Sequence, residues 1–360
     1  MDQLVVIHLS DLHISDDVDF RLLEALPIST RLVREVTRTS LKEPFYYLVS
    51  GDLTEDGSQR QFELVRDYLL SRCQVEINGE LTSPVGFAIG DESRLAYVPG
   101  NHDNWGGASG PFTALGFNRA VTERYFGQLP WRRSWTSIKG TIEFELFGMD
   151  SNAGLQETPE ILQGGVFAET HLRHLRELLV SSIVHDGDVH RVRAVMFHHG
   201  LSFDAQLVLS TSWVQESAEF LRAAVRSTTG GISEAFDPAS ERGLRHIRPA
   251  KAYPLRFQSR ADLVSVCGTE HVSCFLTGHN HCFARRPIPV QTLDGNVILE
   301  FQAATALKTP PPHESRGFFV HQLVLDSEVL TWNAWAFKWT GTQFRPYRNV
   351  PDYSEIIGIN

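Results

Sequence analysis

Asp11-Leu12-His13, Gly51-Asp52, Gly100-Asn101-His102-Asp103, His198-His199 and Gly278-His279-Asn280-His281 each place carboxylate, amide or imidazole groups directly after an apolar run. Oxygen and imidazole donors suit borderline divalent or trivalent metals, and five such blocks can surround two ions. Asp52 is the best candidate for a bridge, because each of its carboxylate oxygens can take one ion and Gly51 lets the chain turn tightly before it. Asp11 and His13 stand two positions apart, as do His279 and His281, so an extended segment would turn each pair toward one ion. The four cysteines, Cys73, Cys267, Cys274 and Cys282, form no CxxC pair, which excludes a thiolate zinc site and requires no disulfide framework.

The elements that must position these groups are short apolar strands. Residues 4–9 run into Asp11, 45–49 into Gly51-Asp52, 95–98 into the Gly100 block, 192–197 into His198 and 272–276 into Gly278. If these strands share one sheet, their carboxyl ends converge where open α/β folds bind ligands. Helical patterns over 20–39, interrupted by Pro27, and around 62–69 read as crossovers. Residues 142–146 read as a strand, 166–184 as a long helix carrying His171 and His174 on its surface, and 213–225 as helix-like. Strands at 297–301, 318–325 and 329–337 are expected to build a second sheet.

The ordered blocks resemble the signature of the calcineurin-like metallophosphoesterase superfamily: Asp-x-His, Gly-Asp, Gly-Asn-His-Asp or Glu, His, and Gly-His-x-His. The resemblance implies an α/β fold, a four-layer α-β-β-α sandwich with two mixed β-sheets, formed by residues 1–360 as a single metallophosphoesterase domain. It implies that Asp11, His13, Asp52 and His281 surround one ion, and that Asp52, Asn101, His198 and His279 surround the other. The ions would be Mn²⁺, Fe²⁺/Fe³⁺ or Zn²⁺. His102 is then the outer-sphere acid, with Asp103 either orienting it or capping its loop. Hydrolysis would proceed through a metal-bridging hydroxide, with Asp52 organising the bridge and Asn101 also positioning phosphate. The expected activity is that of a phosphodiesterase on a small phosphate-ester substrate, a cyclic nucleotide being one candidate. Phosphomonoesterase or protein phosphatase activity is the alternative, and a nuclease or a non-catalytic interaction module is less favoured. His199 is open between a hydrogen bond to substrate and a loop cap.

The chain has 360 residues, 42% hydrophobic and 21% charged, enough for a large core and a solvated exterior. Its formal charge of −10 argues against a broadly basic nucleic-acid surface, so nucleic acid is not favoured as a partner, although metal ions create a local positive pocket. No apolar run reaches the roughly 18 residues of a membrane span, and no secretory segment precedes Leu4, so cytoplasmic residence is expected. Neither a protein partner nor an oligomeric state can be read from the sequence.

Gly, Ser and Pro concentrate in an irregular insertion around 227–254, which reads equally as a lid or as an exposed connection. Its Arg242, Arg245, His246, Arg248 and Lys251 read either as contacts for an anionic substrate or as solubilising charges, and the second reading is favoured. Trp105, Phe112 and Phe117 read either as a wall for a nucleobase or as loop packing, Trp131 and Trp135 read as buried, and residues 309–312 form a stiff proline loop.

Overall fold

The computed structural model describes residues 1–15, 18–40, 42–74, 76–77, 80–104, 119–153, 167–182, 189–201, 260–279, 281, 286–310 and 316–357. The expectations for Trp105, Phe112, Phe117, the helix at 213–225, the insertion at 227–254, Cys282 and Pro311-Pro312 lie outside the described residues.

The first half contains strands β1 (Asp2–Leu9), β2 (Phe45–Val49), β3 (Glu76–Ile77), β4 (Glu80–Leu81), β5 (Leu95–Tyr97), β6 (Trp131–Thr136) and β7 (Ile142–Gly148). β8 (His190–His199), β9 (Cys274–Gly278), β10 (Ile288–Gln291), β11 (Val297–Gln302), β12 (Gly317–Asp326), β13 (Val329–Trp339), β14 (Phe344–Pro346) and β15 (Tyr353–Ile357) follow. The described helices are α1 (Phe20–Ile28), α2 (Thr30–Thr37), α3 (Gln59–Leu70), α4 (Asn101–Asn104), α5 (Arg119–Phe126), α6 (Glu169–Ser181) and α7 (Arg260–Thr269).

One sheet has the order β14-β13-β12-β1-β2-β5, with β15 also paired to β13, and the other has the order β10-β11-β9-β8-β7-β6. Both are mixed. β1, β2 and β5 run parallel while β12 and β13 are antiparallel to their neighbours, and β7, β8, β9 and β11 run parallel between antiparallel β6 and β10.

The apolar runs are continuous because both faces of each sheet are covered. On β1, Val5, Ile7 and Leu9 pack outward against α1, α2 and α3 through Leu22, Leu26, Val33, Phe62 and Val65. Leu4 and Val6, with Trp332 of β13, face the other sheet, where they join Phe144, Met196, Leu276 and Phe301. The outer face of the second sheet, with Phe147, Phe197 and Phe275, is covered by α6 and α7 through Leu175, Leu179, Leu263 and Cys267. The layers are therefore helix, sheet, sheet, helix, the expected α-β-β-α sandwich. Trp135 is buried at 3% exposure and stacks on Tyr46, in keeping with its reading as a core residue.

Two expectations about sheet membership are corrected. The strands that lead into the five blocks do not share one sheet: β1, β2 and β5 belong to the first, β8 and β9 to the second. Of the late strands, only β11 joins the second sheet, whereas β12 returns to pair with β1 and β13 with β12. β1 has one edge paired to β2, and its free edge is completed by β12 from the far end of the chain. Pro27 sits in the last turn of α1, and the chain restarts as α2 at Thr30, as the interrupted pattern implies. Asp19 caps α1 by accepting from the Arg21 backbone N–H at 3.0 Å.

β7 and β8 are tied by charge as well as by packing. Arg193 donates to the Glu145 carboxylate at 2.9 Å and to the carbonyls of Glu270 at 2.7 Å and Leu179 at 2.8 Å, inside the second sheet's helical cover. Glu145 is fully buried, and Arg132 reaches its other oxygen at 2.6 Å. Glu145→Ala is expected to destabilise the chain by about 3 to 5 kcal/mol, because the Arg193 charge would stay buried without its counter-ion. A urea titration checks this, and a loss below about 1 kcal/mol would show that the carbonyls alone hold Arg193.

Candidate metal centre

Each block begins where a strand ends, and the two stacks of parallel strands place their carboxyl ends on one rim of the sandwich. Asp11 and His13 follow β1, Asp52 follows β2, Asn101 to Asp103 open α4 after β5, His198 and His199 end β8, and His279 and His281 follow β9. The site spans the tops of both sheets rather than the crevice of one.

Among the described residues two donor clusters share Asp52, and a third group, His13, Glu55 and His102, shares His13 with the first of them. Ligand atoms of Asp11, His13, Asp52 and His281 lie together, and so do those of Asp52, His198 and His279. Asn101 joins the second group, its Oδ1 standing 3.1 Å from both His198 Nε2 and His279 Nδ1. Asp52 Oδ2 lies 3.2 Å from His198 Nε2 and 3.5 Å from His13 Nε2. All seven candidate ligands are thus brought to one place.

These separations fit cations. Donors that meet one ion at right angles at about 2.1 Å stand about 3 Å apart, and His13 Nε2 faces His281 Nε2 at 3.2 Å while His279 Nδ1 faces His198 Nε2 at 3.3 Å. Asp11 Oδ1 is buried without a hydrogen-bond donor, with His281 Nε2 facing it at 3.2 Å.

Outer contacts set which nitrogen faces inward. His198 Nδ1 donates to the Ser50 carbonyl at 2.8 Å, and His13 Nδ1 stands 2.9 Å from the Glu55 carboxylate, so both rings present Nε2 to the clusters. His102 Nδ1 donates to the Glu55 carbonyl at 2.7 Å, and its ring meets His13 edge-on at 4.5 Å. Lys308 holds the other Glu55 oxygen at 3.2 Å. Glu55 escaped the reading by blocks because it reaches the clusters only through His13. Its signal in the sequence was a carboxylate three positions after Asp52 in the same loop.

Asp103 stands outside the clusters. Its carboxylate accepts from the backbone N–H groups of Leu53 at 3.1 Å, Thr54 at 2.9 Å and Gly100 at 2.9 Å, and from the Thr54 hydroxyl at 2.8 Å. It clamps the Asp52 loop to the Asn101 loop, which is the capping alternative, while Glu55 rather than Asp103 meets the His102 ring.

The backbone is strained where the donors sit. Asp11, His13, Asp52, His279 and His281 all have φ between 45° and 73°, the left-handed region. Asp11 and His13 therefore do not lie on an extended segment as expected; the chain has already turned out of β1. Two glycines make the close approaches possible. Gly51 has φ of 99° and a Cβ there would overlap the His198 ring, and a Cβ on Gly278 would overlap Ser10 and Asp11.

Burial and charge compete at every titratable group. Burial raises the Asp52 and Asp11 pKa values, but the imidazoles of His198, His102 and His13 around Asp52, and of His281 and His198 around Asp11, hold both carboxylates well below their usual range. Burial pushes His13 down to about 4, and burial with the field of His198 pushes His279 down to about 3. His198 is the exception: burial lowers it, yet Asp52, Asp11 and the Ser50 carbonyl together lift it to about 9. A cation entering the second cluster must displace that proton. Burial and then the Asp52 charge raise Asp103 to about 7.

A two-sheet α/β sandwich carries, on one rim, paired carboxylate and histidine clusters that could hold metal ions. The calcineurin-like phosphoesterase family matches residues 4–283, and the chain belongs to that family. No curated protein matches the sequence. Among solved structures, GAP50, the anchor in the inner membrane complex of Plasmodium, is 11% identical, with 100% of this chain and 90% of that one covered and a TM-score of 0.49. Vps29 of Entamoeba histolytica complexed with zinc is 10% identical, with coverage of 97% and 100% and a TM-score of 0.30. Vps29 of Chaetomium thermophilum is 11% identical, with coverage of 98% and 93% and a TM-score of 0.31. At such scores these likenesses carry no argument about what this chain does.

Proposed function

We infer that this chain is a phosphodiesterase acting on a small phosphodiester, with a cyclic nucleotide as one candidate substrate, and that two metal ions held by Asp11, His13, Asp52, Asn101, His198, His279 and His281 are its cofactors. The observation that carries this reading is the sharing of Asp52 between two donor clusters, with His102 beside them. The oxygen and imidazole donors suit Mn²⁺, Fe²⁺/Fe³⁺ or Zn²⁺. When bound, the two ions supply an activated water and positive charge for an in-line displacement at phosphorus.

The chain's own groups do the rest. Asp52 links the clusters, and Asn101 contributes a neutral oxygen without adding repulsion toward an anionic substrate. His102 is fixed at Nδ1 by the Glu55 carbonyl, and its Nε2 would donate a proton to the leaving oxygen. Its side chain is 20% exposed, so a substrate can reach it.

Residues 1–360 are read as one domain, since the clusters draw on strands from Asp2 to Gly278 and β12 closes the first sheet beside β1. Among the described residues no helix is long and apolar enough to cross a membrane. Cytoplasmic residence belongs to the same proposal, supported by three buried free thiols at Cys73, Cys267 and Cys274.

A panel of metal-reconstituted assays tests the substrate class, comparing cyclic nucleotides, linear phosphodiesters, phosphomonoesters, phosphopeptides and short nucleic acids. Cleavage of small diesters is expected. A protein loaded with two ions that cleaves only monoesters would move the assignment to a phosphomonoesterase, and one that cleaves nothing would favour a binding module.

A further inference from the structure

His199 follows a candidate ligand, and on a regular strand it would point to the opposite face from His198. It does not. The pairing of β8 with β9 shifts register between Met196 and His199, and the two rings meet edge to face with centroids 5.1 Å apart. The His199 ring lies against His279, centroid to centroid at 4.4 Å with the planes tilted by 48°.

His199 is itself held. Ser151, fully buried just beyond β7, places its Oγ 2.8 Å from His199 Nδ1 and accepts from the His199 backbone N–H at 3.3 Å. The hydroxyl and Nδ1 share one hydrogen bond, in which the tautomer of His199 sets which of them donates. The ring's rotation is thus fixed from the sheet beneath it.

His279 is the one histidine of the two clusters that turns Nδ1, not Nε2, toward its partners: Asn101 Oδ1 at 3.1 Å and His198 Nε2 at 3.3 Å. We propose that His199, locked by Ser151, is a positioning residue that holds the His279 ring in this Nδ1-inward orientation for the second ion. The proposal rests on the two-ion reading above.

The test is Mn²⁺ titration against a fluorescent chelator, with elemental analysis, of the full chain and of His199→Ala, Ser151→Ala and the double variant Ser151→Ala/His199→Phe. Circular dichroism and thermal melts of the metal-free proteins verify the fold. His199→Ala is expected to weaken the second ion by about tenfold or more while the first is retained. Ser151→Ala should weaken it less. The double variant replaces both hydrogen-bonding partners by apolar groups and keeps a ring against His279, so it should recover most of the affinity. A His199→Ala protein that binds both ions as tightly as the wild type overturns the proposal and leaves the two-ion reading standing. Equal weakening of the second ion in the double variant and in His199→Ala also overturns it, since the ring would then not be the brace. A wild-type chain that takes up fewer than two ions overturns the two-ion reading, and this inference with it.

Discussion

Asp52→Asn is expected to lower hydrolysis by a factor on the order of 10³ and to reduce the bound ions below two. The side chain keeps its shape, and its Oδ1 still accepts from the His102 backbone N–H, a bond of 2.9 Å. What changes is the other terminus, which lies 3.2 Å from His198 Nε2 and 3.5 Å from His13 Nε2. An amide nitrogen there has two hydrogens and no lone pair to offer a cation. The charge lost is also the one that both clusters share, so each ion loses a negative partner. Elemental analysis and turnover on one phosphodiester, measured on the same sample, check the expectation. A variant that holds two ions and turns over at the wild-type rate would remove Asp52 from its bridging role.

What the sequence could convey depended on how local the cause was. β2 occupies residues 45–49 as expected, because its apolar run is bounded by Pro44 before it and Ser50-Gly51 after it. The blocks themselves were legible because each ligand type follows its strand directly. Sheet membership was not, since β12 is apolar on both faces and nothing local tells it to pair with β1 some 300 residues away in sequence. β15 went unread for the opposite reason: Ser354, Glu355 and Ile356 are exposed on its edge, so it lacks the alternation that marks a half-buried strand. At the site, Asp11 and His13 were expected on extended backbone, and their left-handed φ follows from closing two sheets over one cavity, which no residue pattern encodes. Asp103 and Glu55 show a further limit. The two carboxylates sit in adjacent loops, and only the packing reveals that Asp103 clamps backbone while Glu55 reaches His13 and, through its carbonyl, His102.

His102→Ala separates proton donation from metal binding, because the His102 backbone N–H that bonds Asp52 survives the substitution and the ring, although grouped with His13 and Glu55, belongs to neither of the two clusters that share Asp52. Both ions should remain. Turnover of a diester with an alkyl leaving group is expected to fall by about 10² to 10⁴, the span that a positioned general acid supplies. A p-nitrophenyl diester should lose far less, since p-nitrophenolate departs without needing a proton. The comparison between leaving groups is the decisive measurement, because a merely structural loss would lower both rates together. His13 does lose the edge contact of the His102 ring at 4.5 Å, but the Glu55 carboxylate still stands 2.9 Å from its Nδ1, so the first cluster keeps its orientation. Equal losses on both diesters with two ions still bound would assign His102 to holding the phosphate rather than to protonating the leaving oxygen.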